Sequence, residues 1–181
     1  MPRPRCVLLD AGPVIFLHAR GVWAQFCETY EVVIPEIVAD NEAMFHSRDE
    51  LTGGTEAIRI RDEEKAGRVV VISATSIEIA DVLGRFTDDF ATALHVGEVE
   101  GIALLTQRDD LDEHVFCTGD GGAIQAAVMA GLGERCLPLE ELLESAGLRQ
   151  DVPRILSREF FETHRRAGAA NRLSGFGFSR P

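Results

Sequence analysis

The sequence predicts an α/β fold in three α/β/α layers, with a central parallel sheet covered by helices on both faces. Three observations predict it. Short, continuous apolar runs recur along the chain, without the alternation of a half-solvated strand, as expected of strands buried on both faces. Segments of helical periodicity separate these runs. Each run also ends at a residue that turns or caps the chain, such as Asp10, Pro35, Ser73 or Thr118.

The first run, CVLL at 6–9, follows MPRPR and gives way at once to Asp10 and Gly12, a strand entering a helix. VVI at 32–34 stops at Pro35, VVVI at 69–72 at Ser73 and VFC at 115–117 at Thr118, while CLPL at 136–139 leads into EELLESAG. Between them helical patterns cover 13–30, 36–45, 55–66, 76–86, 97–107, 123–130 and 140–146, with Gly53 and Gly54 as a turn before the third. Strand–helix alternation of this kind makes a parallel sheet with right-handed crossovers. Residues 1–147 read as one domain. Residues 148–181 read as a C-terminal amphipathic helix, VPRILSREFFETHRR, followed by a basic, loosely ordered tail, AGAANRLSGFGFSRP.

At 181 residues and 45% hydrophobic side chains, the chain can bury one core. No apolar run approaches the roughly 18 residues of a membrane span, and no cleavage site follows the first residues, so a cytoplasmic protein with no membrane partner is expected. Cys6, Cys27, Cys117 and Cys136 stand singly in apolar stretches and read as reduced core residues, not as zinc or redox motifs. The net charge of −12 argues against a protein that coats nucleic acid. Residues 149–181 hold seven arginines against three acids, a local +4 that leaves −16 on residues 1–148. The single lysine, Lys65, lies in the charged stretch RIRDEEKAGR, which excludes a phosphate-binding Gly-Lys-Ser/Thr loop and a lysine Schiff base. No HExxH spacing among the histidines and no GxSxG elbow is present. Whatever chemistry occurs must rest mainly on carboxylates.

Ligand sites of open parallel sheets lie at the carboxyl ends of the strands. Asp10 and Asp120 stand there, each also placed to cap a helix. Glu98 and Glu100 open the apolar helix GEVEGIALL. Glu98 shares a face with Ile102 and Leu105 and needs a partner or a metal, whereas Glu100 points the opposite way and reads as an acid at a positive helix terminus. In VVIPEIVADNEAMF, Asn41 lies near the centre of the apolar arc, with Asp40 and Glu42 flanking it. Glu42, on the side of Val38 and Phe45, is the favoured inward acid.

A hydrophobic strand ending in Asp (VLLDAG), a proline-started helix with an acid (IPEIVADNEA), a GE-led helix (GEVEGIALL) and a late TGD before a helix (TGDGGAIQAA), in this order, resemble the four motifs of PIN-domain nucleases. The resemblance covers about residues 5–146. It implies a three-layer α/β/α fold and an Mg²⁺- or Mn²⁺-dependent phosphodiesterase acting usually on RNA, in many bacterial members as a toxin with an antitoxin or other protein partner. Asp10, Glu98 and Asp120 match the metal-binding acids, with Glu42 as a fourth ligand or, in either Glu42 or Asp40, a group orienting water. Thr118 matches a hydroxyl two residues before the last acid. The second motif departs from the family, because its spacing from Pro35 passes through Val38 and lands on Asn41.

Several carboxylates aimed into one pocket repel one another, and a hard divalent cation reverses that repulsion. Two rival readings come from other classes. A phosphotransfer protein with its acceptor at Asp10 lacks the lysine late in the sheet that the receiver type needs, and has Gly12 where the haloacid-dehalogenase type has a second Asp. A catalytically weakened PIN-like domain serving as a binding or assembly module fits Asn41 and the acidic body. In the C-terminal helix Ile155, Phe160 and Phe161 are too apolar to leave in water, so this face docks on the body or on a second copy in a homodimer. Its arginines either pair with the acidic body or guide RNA.

Overall fold

Apolar runs that are too short for helices pair side by side as the centre of the molecule. A computed structural model describes residues 6–49 and 54–179. The strands β1 (Cys6–Leu9), β2 (Glu31–Pro35), β5 (Val69–Ile72) and β6 (His114–Cys117) form one parallel sheet in the order β5-β2-β1-β6. Leu8 stands opposite Val33 and Phe116, and Val7 opposite Val32 and Val115. Because successive side chains face opposite ways, Val7, Leu9, Val32 and Ile34 enter one core with α1 (Ala11–Ala19), α2 (Trp23–Thr29) and α8 (Leu139–Ala146). Leu8, Val33 and Phe116 enter the other, with α4 (Ser76–Leu83), α6 (Val96–Gln107), α7 (Gly121–Met129) and Phe161 of α9 (Arg158–Ser174). The result is the expected α/β sheet with helices on both faces. No described helix is long and apolar enough to cross a membrane, and the four cysteines form no disulfide with one another.

Local structure departs from the periodicity in several places. The helical pattern of 13–30 breaks at Gly21, whose φ of +67° suits glycine. The helix expected over 36–45 is shorter, spanning 36–42: residues 36–37 are α-helical and lead into one turn of π-helix, Val38–Glu42, closed by the Ala43 N–H on the Val38 carbonyl at 2.9 Å. The chain then leaves as β3 (Phe45–Asp49), which pairs antiparallel with β4 (Gly54–Ala57). This hairpin takes the first residues of the helix expected over 55–66, so α3 spans only Ile60–Lys65. Gly53, half of the expected turn, lies outside the described residues, as does the leading MPRPR. A short α5 (Asp88–Thr92) follows α4, which ends at Gly84. The expected fifth strand is reduced to a single parallel bridge between Cys136 and Phe116, with the Leu137 N–H on the Phe116 carbonyl at 3.0 Å. Pro138 has no N–H to continue a ladder.

The C-terminal segment differs most from expectation. Residues 167–174, read as loosely ordered, continue the helix: α9 runs from Arg158 to Ser174 and stops at Gly175 with φ +73°. It lies along α7 with Gly168 at the crossing, where a Cβ would come within 2.9 Å of the Gln125 backbone. Beyond it the Gly177 carbonyl accepts the Thr87 N–H at 2.8 Å, and Phe178 stacks on Phe86. Arg158 bonds Glu144 of α8 at 2.9 Å, and Arg165 lies 3.8 Å from Glu134, outside the C-terminal segment. The segment therefore docks on the body of its own chain.

Candidate functional site

The carboxyl ends of β1 and β6 lie side by side, and each delivers an acid. Asp10 follows β1, its N–H extending the ladder to the Cys117 carbonyl at 3.1 Å. Although it stands at the N-cap of α1, its side chain makes no capping bond; instead it accepts the Thr118 hydroxyl at 2.7 Å. The Thr118 oxygen in turn accepts the Asp120 N–H at 3.0 Å. Asp120 does cap its helix, accepting the Ala123 N–H at 2.9 Å. One hydroxyl thus ties together the two acids that close β1 and open α7. Asp10 and Thr118 are buried, whereas Asp120 is exposed.

Glu98, only 5% exposed, lies in the first turn of α6 and accepts the His95 N–H at 3.0 Å. Burial raises its carboxyl to about 8, with the charges of Asp120, Asp10 and Glu42 adding to the rise. Burial likewise raises Asp10 against the pull of the Thr118 hydroxyl, and Asp120 contributes. Glu42 is raised by burial and by the charge of Asp10. These four acids come from four separate segments and act on one another. The side-chain charge that opposes them comes from His95, which favours ionisation of Asp10 and Glu42.

The second-motif region sorts out through its π-turn, which places five residues where an α-turn has fewer and so rotates the side chains out of the expected arc. Glu42 turns toward the cluster and accepts the Gly97 N–H at 3.3 Å. Its carboxylate occupies the space of a Gly97 side chain, since a Cβ there would lie 2.8 Å from the Glu42 Cδ. Asp40 instead takes a two-pronged bond from Arg61 at 2.8 and 2.7 Å, which holds its carboxyl below the usual range. Asn41, expected near the centre of the apolar arc, is exposed.

Glu100 also differs from its reading as a helix-terminus acid. It is 2% exposed and accepts backbone N–H groups from Ile37 at 2.8 Å and Ala74 at 3.1 Å, fastening the chain beyond β2 to the loop beyond β5. Its burial raises its carboxyl. A glutamate within an otherwise apolar run of a buried helix is the signal that could have revealed it.

Among the described residues, no three His, Cys, Asp or Glu side chains close around one point tightly enough to hold a metal ion. Each of the four acids takes an internal donor: Thr118 on Asp10, the Gly97 amide on Glu42, the His95 amide on Glu98 and the Ala123 amide on Asp120. The donor set nevertheless suits a hard cation, because it is all oxygen and its carboxylates raise one another through their charges. Compared with known protein families, characterised proteins and solved structures, the chain matches none.

The raised Glu98 makes stability depend on pH. Between its ordinary value of 4.5 and about 8, the folded chain holds a proton that the unfolded chain has lost. Stability is therefore fullest near the low end of that window and falls as pH rises through it. The metal-free protein is expected to melt several degrees lower at pH 8.5 than at pH 5.5, and Glu98→Gln to flatten that slope. Thermal melts across the window check this; an equal slope in both proteins would remove Glu98 as its source.

Proposed function

We propose that the chain is a PIN-type nuclease that hydrolyses phosphodiester bonds in RNA with the help of Mg²⁺ or Mn²⁺. The observation that carries this reading is the approach of Asp10, Glu42, Glu98 and Asp120 to one another at the carboxyl end of a parallel sheet, where their charges oppose one another. The order of the four motif segments along the chain supports it as well. Asp10, Glu98 and Asp120, with Glu42 directly or through water, would hold the cation, which when bound lowers the pKa of water and neutralises charge on the phosphate. The protein's own part is positioning. Thr118 donates to the Asp10 carboxylate and accepts the Asp120 backbone N–H, so one hydroxyl ties the two acids together. Gly97 leaves room for Glu42 to turn inward.

A second reading, a catalytically weakened binding or assembly module, is favoured by Asn41 standing where the family spacing places its acid. Calorimetry with Mn²⁺ tests the metal site behind the first. Wild type is expected to bind, and Asp120→Asn to bind at least about tenfold more weakly while keeping its fold, since asparagine caps a helix as well as aspartate does. Asp40→Asn, whose native carboxylate is engaged by Arg61, is expected to bind as wild type does. Unchanged affinity in Asp120→Asn would remove the site.

A further inference from the structure

The loop Thr118–Asp120 and the first turn of α7 are held from outside by the C-terminal segment. Gly119 and Gly121 both lack side chains there, and the space each would need is filled from that segment. A Cβ on Gly119 would lie 2.8 Å from Leu156 Cδ2. A Cβ on Gly121 would fall against the His164 imidazole, 2.7 Å from Nε2 and nearer still to Nδ1 and Cε1. His164 is itself fixed on two sides. Phe160, one turn earlier in α9, packs on its ring with centroids 4.3 Å apart. The Gln125 amide nitrogen lies 3.2 Å from its Nδ1 and also donates to the Gly121 carbonyl at 3.1 Å. Asn171 completes the chain by donating to the Gln125 oxygen at 3.2 Å. Imidazole, glutamine amide and helix backbone thus form one connected unit directly behind Asp120.

We propose that His164 is a positioning residue for Asp120. Its ring rests on the backbone of Gly121, fixes the first turn of α7 and so sets the direction of the carboxylate one residue earlier. A ring is needed because it is flat enough to lie on a bare backbone and long enough to reach it from a neighbouring helix. The proposal rests on the reading of Asp120 as a functional acid. It also gives α9 a part in the site, since a carboxylate misplaced by about 1 Å loses much of its effect.

The test uses the full chain, with Mn²⁺ affinity by calorimetry and amide hydrogen exchange at Ala123, whose N–H is bonded by Asp120. His164→Ala and Gly121→Ala remove the same contact from opposite sides. Each is expected to weaken Mn²⁺ binding about tenfold or more and to speed Ala123 exchange, with global stability by denaturant nearly unchanged. His164→Phe, which keeps a ring on Gly121, should restore both readouts. The double variant Gly121→Ala/His164→Ala, in which the new methyl has the vacated space, should recover most of the loss. If His164→Ala fails to fold, Gly121→Ala carries the comparison alone. Wild-type affinity and wild-type Ala123 exchange in both single variants would overturn the proposal, as would losses that follow global stability alone. Should wild type itself bind no Mn²⁺, the nuclease reading fails, and the exchange at Ala123 still decides whether His164 positions Asp120.

Discussion

Glu98→Gln is expected to reduce metal-dependent RNA cleavage by more than about 10²-fold, whereas Glu100→Gln, two residues away, should keep most of it and instead lose stability. The difference follows from where the two side chains go. Glu98 is buried among three other acids, and its charge acts with those of Asp10, Asp120 and Glu42. Replacing it removes an oxygen donor from the cluster, a larger loss than the 10–100-fold typical of an outer-shell partner. Glu100, although its charge also raises Glu42, commits its two oxygens to the Ile37 and Ala74 amides. Glutamine offers one acceptor oxygen, so one buried N–H goes unpaired, at a cost of about 1–3 kcal/mol. Relief from burying a charge offsets part of that. The net fall in melting temperature should be a few degrees, at about 2–4 °C per kcal/mol for a chain of this size. Equal loss of cleavage in both variants, with equal stability, would mean that the two faces of α6 do not divide the work in this way.

Asp10→Asn is expected to show the reverse combination, a more stable protein without activity. Asp10 is 7% exposed, and burial raises its carboxyl, so ionising it at neutral pH works against the fold. Asparagine is nearly the same shape and still accepts the Thr118 hydroxyl. With the charge gone, the metal-free variant should gain roughly 1 kcal/mol at pH 8, seen as a rise of about 2–4 °C in melting temperature. A residue kept at the expense of stability is what a functional site requires. A variant less stable than wild type at pH 8 would mean that the Asp10 charge is already compensated.

Asp10 and Asp120 are legible from the sequence because an acid at a strand-to-helix junction needs only local pattern to locate, and the parallel sheet places both junctions at one edge. Glu98 is legible because an apolar helix face makes a carboxylate conspicuous. Glu42 is harder. Its inward turn depends on a π-turn and on the missing side chain of Gly97, and neither shows in an i, i+3, i+4 pattern. Glu100 was misread because its partners, Ile37 and Ala74, are backbone groups 63 and 26 residues away in sequence. The hairpin of β3 and β4 was hidden for a related reason: strand pairing across 45–57 overrides weak helical periodicity. In the C-terminal segment, AGAANRLS has few large apolar residues to mark a helix. Its small residues allow the close approach of Gly168 to α7, so the feature read as disorder is what makes the packing possible.

Cleavage of single-stranded RNA by the purified full chain, with Mn²⁺ or with EDTA, in wild type and in Asp10→Asn, tests the account most directly. The expected result is cleavage by wild type with Mn²⁺, none with EDTA and none by a folded Asp10→Asn in either condition. Cleavage by Asp10→Asn at the wild-type rate, or no cleavage by wild type with either Mn²⁺ or Mg²⁺, would contradict it.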